Sequence, residues 1–182
     1  RKVKSEQELL QAINGGDRAA MRELYDRYSG YAMAVGLRYM ADADTVKDVL
    51  QDSFVKIFTG IGAFEYRGEG SLKAWVLRVV ANESLTQLRK YHHFTVTDDM
   101  PDMPDENIPD TEDVPMSVIM QMIERLPVGY RTVFNLFVFE QRSHKEIALL
   151  LGIKENSSAS QYFRAKKMLT KMIEEYKITI KI

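Results

Sequence analysis

The chain contains no cysteine, which excludes disulfides, thiolate-held zinc and thiol nucleophiles together. Its three histidines, at positions 92, 93 and 144, are too few for a histidine-rich metal site. No stretch approaches the roughly 18 to 20 uninterrupted apolar residues needed to cross a bilayer. The opening RKVKSEQELL also lacks the apolar core of a secretion signal. Catalytic signatures are missing as well: there is no phosphate loop, dinucleotide glycine fingerprint, zinc-protease helix or nucleophile elbow. The carboxylates of Asp48 and Asp52, four apart on one helix face, have no catalytic partner. The expectation is a cytoplasmic protein that is not an enzyme, holds no cofactor or metal, and does not insert into a membrane.

What is present points to a folded chain. Apolar residues make up 45% and charged residues 28% of the 182, a composition too apolar for disorder and long enough for one or two small domains. Charge is distributed unevenly. Residues 1–90 carry a net +2, residues 91–115 a net −8 with no lysine or arginine, and residues 116–182 a net +5. The acidic stretch also holds four of the five prolines, at 101, 104, 109 and 115. Proline removes backbone donors and pushes its predecessor out of helical space, and like charges repel. The stretch reads either as a solvated spacer or as an acidic strand suited to a basic groove built for nucleic acid. The expected organisation is a helical domain at 1–92, a linker at 93–114 and a second helical domain at 115–182.

Both flanking blocks carry helical spacing. Ser5 and Glu8 form a capping box before Leu9, Leu10 and Ile13, and Gly15-Gly16 ends that helix. Asp17 opens a second helix with Met21, Leu24, Tyr25, Tyr28, Ala32, Val35 and Tyr39 at helical intervals. Asp42 or Asp44 opens a third, with Val46, Leu50, Phe54, Ile57, Phe58 and Ile61 inward, and Ser71 opens a fourth that runs to about Lys90. After the linker, Pro115 suits a first helical turn and Pro127 ends that helix. Another helix is expected over Arg131–Phe139. Ser143 and Glu146 form a second capping box, Gly152 ends the helix they open, and a last helix starts near Glu155. The terminal KITIKI alternates like a strand, without a visible partner. The expected fold class is all-α: two small helical domains joined by an acidic, proline-rich linker, the second a helix-turn-helix.

Two faces carry chemistry. Between residues 143 and 169 two helices meet at Gly152, with Ile147, Ala148, Leu151 and Ile153 inward. This is the pattern of a helix-turn-helix, whose second helix enters the DNA major groove by its N-terminal end. Between Asn156 and Ile173 there are four basic residues and no acids. Arg164 and Lys167 suit phosphates, while Asn156, Ser157, Ser160 and Gln161 suit base edges. A helical hairpin with a solvated basic face has the same composition. In the fourth helix, Arg78, Asn82, Thr86 and Arg89 share one face opposite Trp75, Val76, Val79 and Val80. An amide framed by cations suits an exposed base beside a phosphate strand, although a plain polar face reads alike. Trp75 itself is expected in the core rather than as a stacking platform.

These motifs, in this order, resemble the extracytoplasmic-function sigma factors, the small promoter-recognition subunits of bacterial RNA polymerase, and look most like those of Bacteroides relatives. The resemblance runs from about Glu8 to Leu169. It is carried by Gly16-Asp17 with Leu24-Tyr25 and Tyr28, by Asp48–Asp52 with Phe54 and Lys56, and by Tyr66-Arg67-Gly68, Ala74-Trp75-Val76, Arg78 and Asn82. Beyond the linker it continues in Leu126-Pro127, Arg131, Val133-Phe134, Glu146–Ala148 and Leu151–Ile153. It implies core RNA polymerase and promoter DNA as partners, and an anti-sigma factor that masks the polymerase-binding surface. It assigns Asp48, Gln51, Asp52 and Lys56 to polymerase docking. It assigns Arg67, Gly68, Glu69, Gly70 and Ser71 to capture of a flipped base of the minus-ten element, with Arg78, Asn82, Arg89 and Lys90 along the same single strand. The second domain is then the reader of the duplex minus-thirty-five element, and the linker imitates RNA in the exit path. The chain departs from the pattern at Lys154, where relatives often have serine or threonine, at Ser158-Ala159, and at Gln161 in place of a frequent arginine. An ordinary helix-turn-helix regulator acting without polymerase is the alternative, and a purely protein-binding helical adaptor a further one.

Overall fold

The computed structural model describes residues 2–94 and 110–181. Most of the acidic stretch, residues 95–109, lies outside them. The described chain forms two compact units, Arg1–Leu88 and Arg89–Ile182.

The first unit is built from α1 (Glu6–Asn14), α2 (Arg18–Met40), α3 (Ala43–Gly60) and α4 (Ser71–Tyr91), with a 3-10 turn at Ile61–Ala63. Side-chain caps at the first three helix starts close backbone donors that the helix itself cannot. Ser5 and Glu8 exchange the two bonds of a capping box, Asp17 accepts from Ala19 and Ala20, and Asp42 accepts from Asp44 and Thr45. Leu9, Leu24, Ala32, Tyr39, Val46, Ile57, Leu72, Val76 and Val80 form a single buried cluster. The helices α2 and α3 approach closely at Gly36, where an added Cβ would lie 2.5 Å from Val46 Cγ1. Trp75 is packed against this core, 5.1 Å from the Phe64 ring, as expected.

The second unit contains α5 (Met116–Glu124), α6 (Val128–Phe134), a π-helical turn at Asn135–Phe139, α7 (His144–Leu151) and α8 (Glu155–Ile180). The helix α8 is the spine against which α5, α6 and α7 all pack. Ala165, Leu169 and Ile173 on α8 join Met122, Ile123 and Leu126 in a buried cluster that also takes in Val114. The last residues of the expected linker therefore belong to this unit, and Asp110 pairs with Lys177 at 3.4 Å. Arg131 is buried and donates from Nη1 to the carbonyl of Glu124 at 2.9 Å, closing the end of α5.

Two expectations change. The helix expected over Arg131–Phe139 is α-helical only to Phe134, and then widens into the π turn, with the Glu140 amide bonded to the Asn135 carbonyl. Residues 177–180 of KITIKI are helical, not strand-like: α8 continues to Ile180, and Thr179 bonds back to the Glu175 carbonyl at 3.0 Å. A β-branched residue costs a helix only tenths of a kcal/mol, less than an unpaired strand loses.

Candidate functional site

Three surfaces hold the residues singled out by the sequence. The first is the outer face of α3. Asp48, Gln51 and Asp52 are exposed, as is the apolar Val55 beside them. Asp48 and Gln51 edge an open groove of about 760 Å³ lined by Tyr25, Met33, Leu50, Phe54 and Phe58. Lys56 is exposed as well, but is already ion-paired with Glu83 of α4. An apolar trough edged by Lys47, Asp48 and Gln51, with Asp52 exposed on the same helix, suits a partner that offers apolar side chains together with polar and charged ones.

The second surface is the turn into α4 and that helix's outer face. Gly68 and Gly70 have φ of +110° and +94°, which L side chains rarely adopt. The turn is locked from within, because Ser71 Oγ donates to the Gly68 carbonyl at 2.6 Å and accepts from the Arg67 amide at 3.1 Å. Arg67 and Glu69 project into solvent. Arg78, Asn82, Thr86, Arg89 and Lys90 are all exposed, so the expected stripe along α4 exists.

One participant was not anticipated. Glu6, only 2% exposed, sits beneath this turn. Its carboxylate accepts from the amides of Gly70 at 2.7 Å, Leu72 at 3.2 Å and Lys73 at 3.0 Å, and from the Tyr28 hydroxyl at 2.9 Å. Burial pushes its pKa up, but the four hydrogen bonds outweigh burial and hold it below the usual carboxylate value. Burial, and next the same contact with Glu6, raises Tyr28 to about 12. In sequence Glu6 reads only as a first-turn acid of α1. The usable signal was at the other end: α4 begins after a glycine, which has no capping side chain.

The third surface is the helix-turn-helix. Gly152 has φ +68° and ends α7, and the Ile153 amide returns to the Ala148 carbonyl. The start of α8 has no side-chain cap from Lys154. His144 braces it instead: the imidazole stacks on Phe137 with centroids 4.4 Å apart, and Nδ1 lies 2.9 Å from Ser158 Oγ. Burial holds the His144 pKa below its usual value, partly countered by Glu155.

Here the expected base readers divide. Asn156 and Lys167 are exposed and Arg164 is half-buried. Ser157, Ser160 and Gln161 are 0%, 1% and 4% exposed, so these three do not present themselves to a groove in this conformation. For Gln161 the reason is visible: its Oε1 lies 2.9 Å from where a Cβ on Gly129 of α6 would be.

Among the described residues, no helix is long and apolar enough to cross a membrane, and no cluster of His, Asp or Glu is placed to hold a metal ion.

Comparison with known proteins follows the same division. Residues 24–93 match the family described as sigma-70 region 2, and residues 116–169 match sigma-70 region 4. The RNA polymerase sigma-H factor of Pseudomonas aeruginosa is 26% identical, covering 93% of this chain and 94% of its own. The ECF RNA polymerase sigma-E factor of Haemophilus influenzae is 24% identical over 93% of this chain and 96% of its own. The ECF RNA polymerase sigma factor SigM of Mycobacterium tuberculosis is 27% identical over 95% and 87%. The solved structure of CnrH in complex with the cytosolic domain of CnrY shares the fold, with a TM-score of 0.50 at 20% identity, covering 94% of this chain and 99% of that one. Two sigma-70 regions in family order, on a chain as long as those relatives, place this protein in the extracytoplasmic-function branch of the sigma-70 family.

Proposed function

We propose that the chain docks on core RNA polymerase through the outer face of α3 and opens promoter DNA by capturing a minus-ten base in the turn before α4. Asp48, Gln51 and Asp52 meet cations on the partner while the Tyr25–Phe54 trough takes its apolar side chains; Lys56 steadies the face through Glu83. Arg67 to Ser71 surround the unstacked base. Asn82 reads or clamps the same strand, with Arg78, Arg89 and Lys90 against its phosphates. The first turns of α8 dock on the minus-thirty-five duplex, with Asn156 toward base edges and Arg164 and Lys167 toward phosphates. Ser157, Ser160 and Gln161 contribute to that contact only if they become exposed on binding. Strand opening follows from differential binding: a turn that binds an unstacked base and not a stacked one shifts the equilibrium toward open DNA.

The observation that carries this reading is the uninterrupted exposed stripe of Arg78, Asn82, Thr86 and Arg89 leading away from an ordered glycine turn. The acidic stretch at 91–115 imitates RNA in the polymerase channel, a role supported by its charge of −8. An anti-sigma factor is the partner expected to cover the α3 face; the solved structure that shares the fold, CnrH, is in complex with the cytosolic domain of CnrY. The site of action is the cytoplasm, where core polymerase is found. We also infer a Bacteroides-like subgroup, from the ordered motifs alone. A helix-turn-helix regulator acting without polymerase does not account for the region 2 match.

The test is abortive transcription by core polymerase from a related bacterium on a pool of genomic promoter fragments, with and without the protein. Promoter-specific initiation that is lost with Asn82→Ala supports both the function and the strand contact. Initiation that survives the substitution moves the melting contact into the Arg67–Ser71 turn. Salt-sensitive operator binding by the protein alone, with no initiation, hands the case to the ordinary regulator.

A further inference from the structure

The start of an α-helix leaves several backbone amides without a partner, and an oxygen at the preceding residue usually takes one or two of them. At α4 that position is Gly70, which has no side chain. Ser71 cannot substitute, since its hydroxyl is engaged with the Gly68 carbonyl and the Arg67 amide. The amides of Gly70, Leu72 and Lys73 all go to Glu6, which lies 64 to 67 residues away in the chain. Charge suits the place, because a carboxylate at a helix N-terminus faces the positive end of the helix dipole. A second tie lies close by: Lys73 Nζ sits 3.6 Å from the centroid of the Tyr31 ring on α2.

The turn is thus held at both ends. Ser71 pins Arg67 and Gly68 from inside, and Glu6 pins Gly70 and the first turn of α4 from beneath. Between these pins the side chains of Arg67 and Glu69 stand in solvent. A binding loop that is already ordered loses less entropy when its ligand arrives.

We propose that Glu6 is a positioning residue for promoter opening: its buried carboxylate, bonded to Gly70, Leu72 and Lys73, holds the turn at 67–70 in the shape that receives an unstacked base. This rests on the reading that the turn captures that base. Glu6 does not touch DNA itself; it acts through the turn.

The test uses the full chain with Glu6→Gln, which keeps the size but sets an amide group among four donors. Amide exchange is read on the free protein. Abortive initiation and core-polymerase affinity are read on the reconstituted holoenzyme, using the genomic fragment most active with wild type. The expected result is exchange at Gly70, Leu72 and Lys73 faster by about tenfold or more, a clearly larger change than at the α2–α3 core amides. Initiation falls about tenfold while core affinity stays within about twofold. Unchanged exchange overturns the anchor. Faster exchange with full initiation overturns the positioning role, as does a parallel loss of core affinity, which marks a role in the whole unit's fold. Glu6→Asp, which keeps the charge on a shorter arm, is expected to lose less than Glu6→Gln; it takes over both readouts by the same criteria if Glu6→Gln does not fold. A wild-type chain that supports no initiation overturns the parent reading instead, and leaves the anchor to be decided by amide exchange.

Discussion

The two helices assigned to DNA begin in opposite ways. The start of α4 is closed by a buried carboxylate from another helix, with three amides satisfied at once. The start of α8 has no side-chain cap, and is steadied by the packing of His144 on Phe137 and its contact with Ser158. On the proposed roles, the difference follows what each would receive. A turn that takes one unstacked base needs a fixed shape, whereas a helix laid into a duplex groove is placed by many phosphate contacts and tolerates a plain start.

The sharpest way to break this contrast is Glu6→Ala. Three amides and the Tyr28 hydroxyl lose their partner, so the first unit should lose about 3 kcal/mol, lowering its midpoint by roughly 10–20 °C. The chain's single tryptophan, Trp75, lies in that unit, so its fluorescence reads the transition directly. The contrast also has an acid limb. Because the Glu6 pKa is lower in the folded chain than its ordinary 4.5, its contribution is complete above that value and is lost as pH falls through the folded value. Wild type should therefore destabilise below about pH 4.5 more steeply than Glu6→Gln, measured by urea titration at each pH.

His144→Ala attacks the other side. It removes a ring stacked on Phe137 and the contact to Ser158, and should cost about 1–2 kcal/mol, followed by circular dichroism. A smaller effect, of opposite sign, is expected from Lys154→Ser. A hydroxyl at the missing cap should raise stability by about 0.5–1 kcal/mol in the same assay. The smallest is Arg67→Ala. Its side chain and that of Glu65 are both out in solvent, so their pair adds little and stability should move by less than about 0.5 kcal/mol. Initiation should nevertheless fall, which separates recognition from folding in the turn itself.

Most of the fold was legible because it is written locally. Ser5, Asp17, Asp42 and Ser143 each announce a helix by a cap within three residues of its start, and the apolar spacing behind them names the buried face. What was hidden depends on distance or on packing. A carboxylate in the first turn of α1 has an ordinary local reason to be there, so nothing near Glu6 in sequence points to Gly70. The π turn after Phe134 has no compositional mark. The alternation of KITIKI imitates a strand, but α8 runs through its first four residues, to Ile180. On the surfaces, the α4 stripe could be counted out at helical intervals and is exposed as expected. On α8, Ser157, Ser160 and Gln161 stood out as polar residues near the start of a recognition helix, and polarity alone does not say whether such a residue is buried.

Closing α4 from a distance also frees its approach. An ordinary cap would oblige residue 70, or a near neighbour, to carry a particular side chain, tying the spelling of the turn to the survival of the helix. Here that duty belongs to Glu6, and the positions that face outward, 67 and 69, carry none of it. Across descendants of a common ancestor, substitutions should therefore accumulate at 67 and 69 while 6 and 28 stand still. If the turn reads the promoter as proposed, such drift would let one scaffold acquire new promoter preferences by changing a few solvent-facing letters.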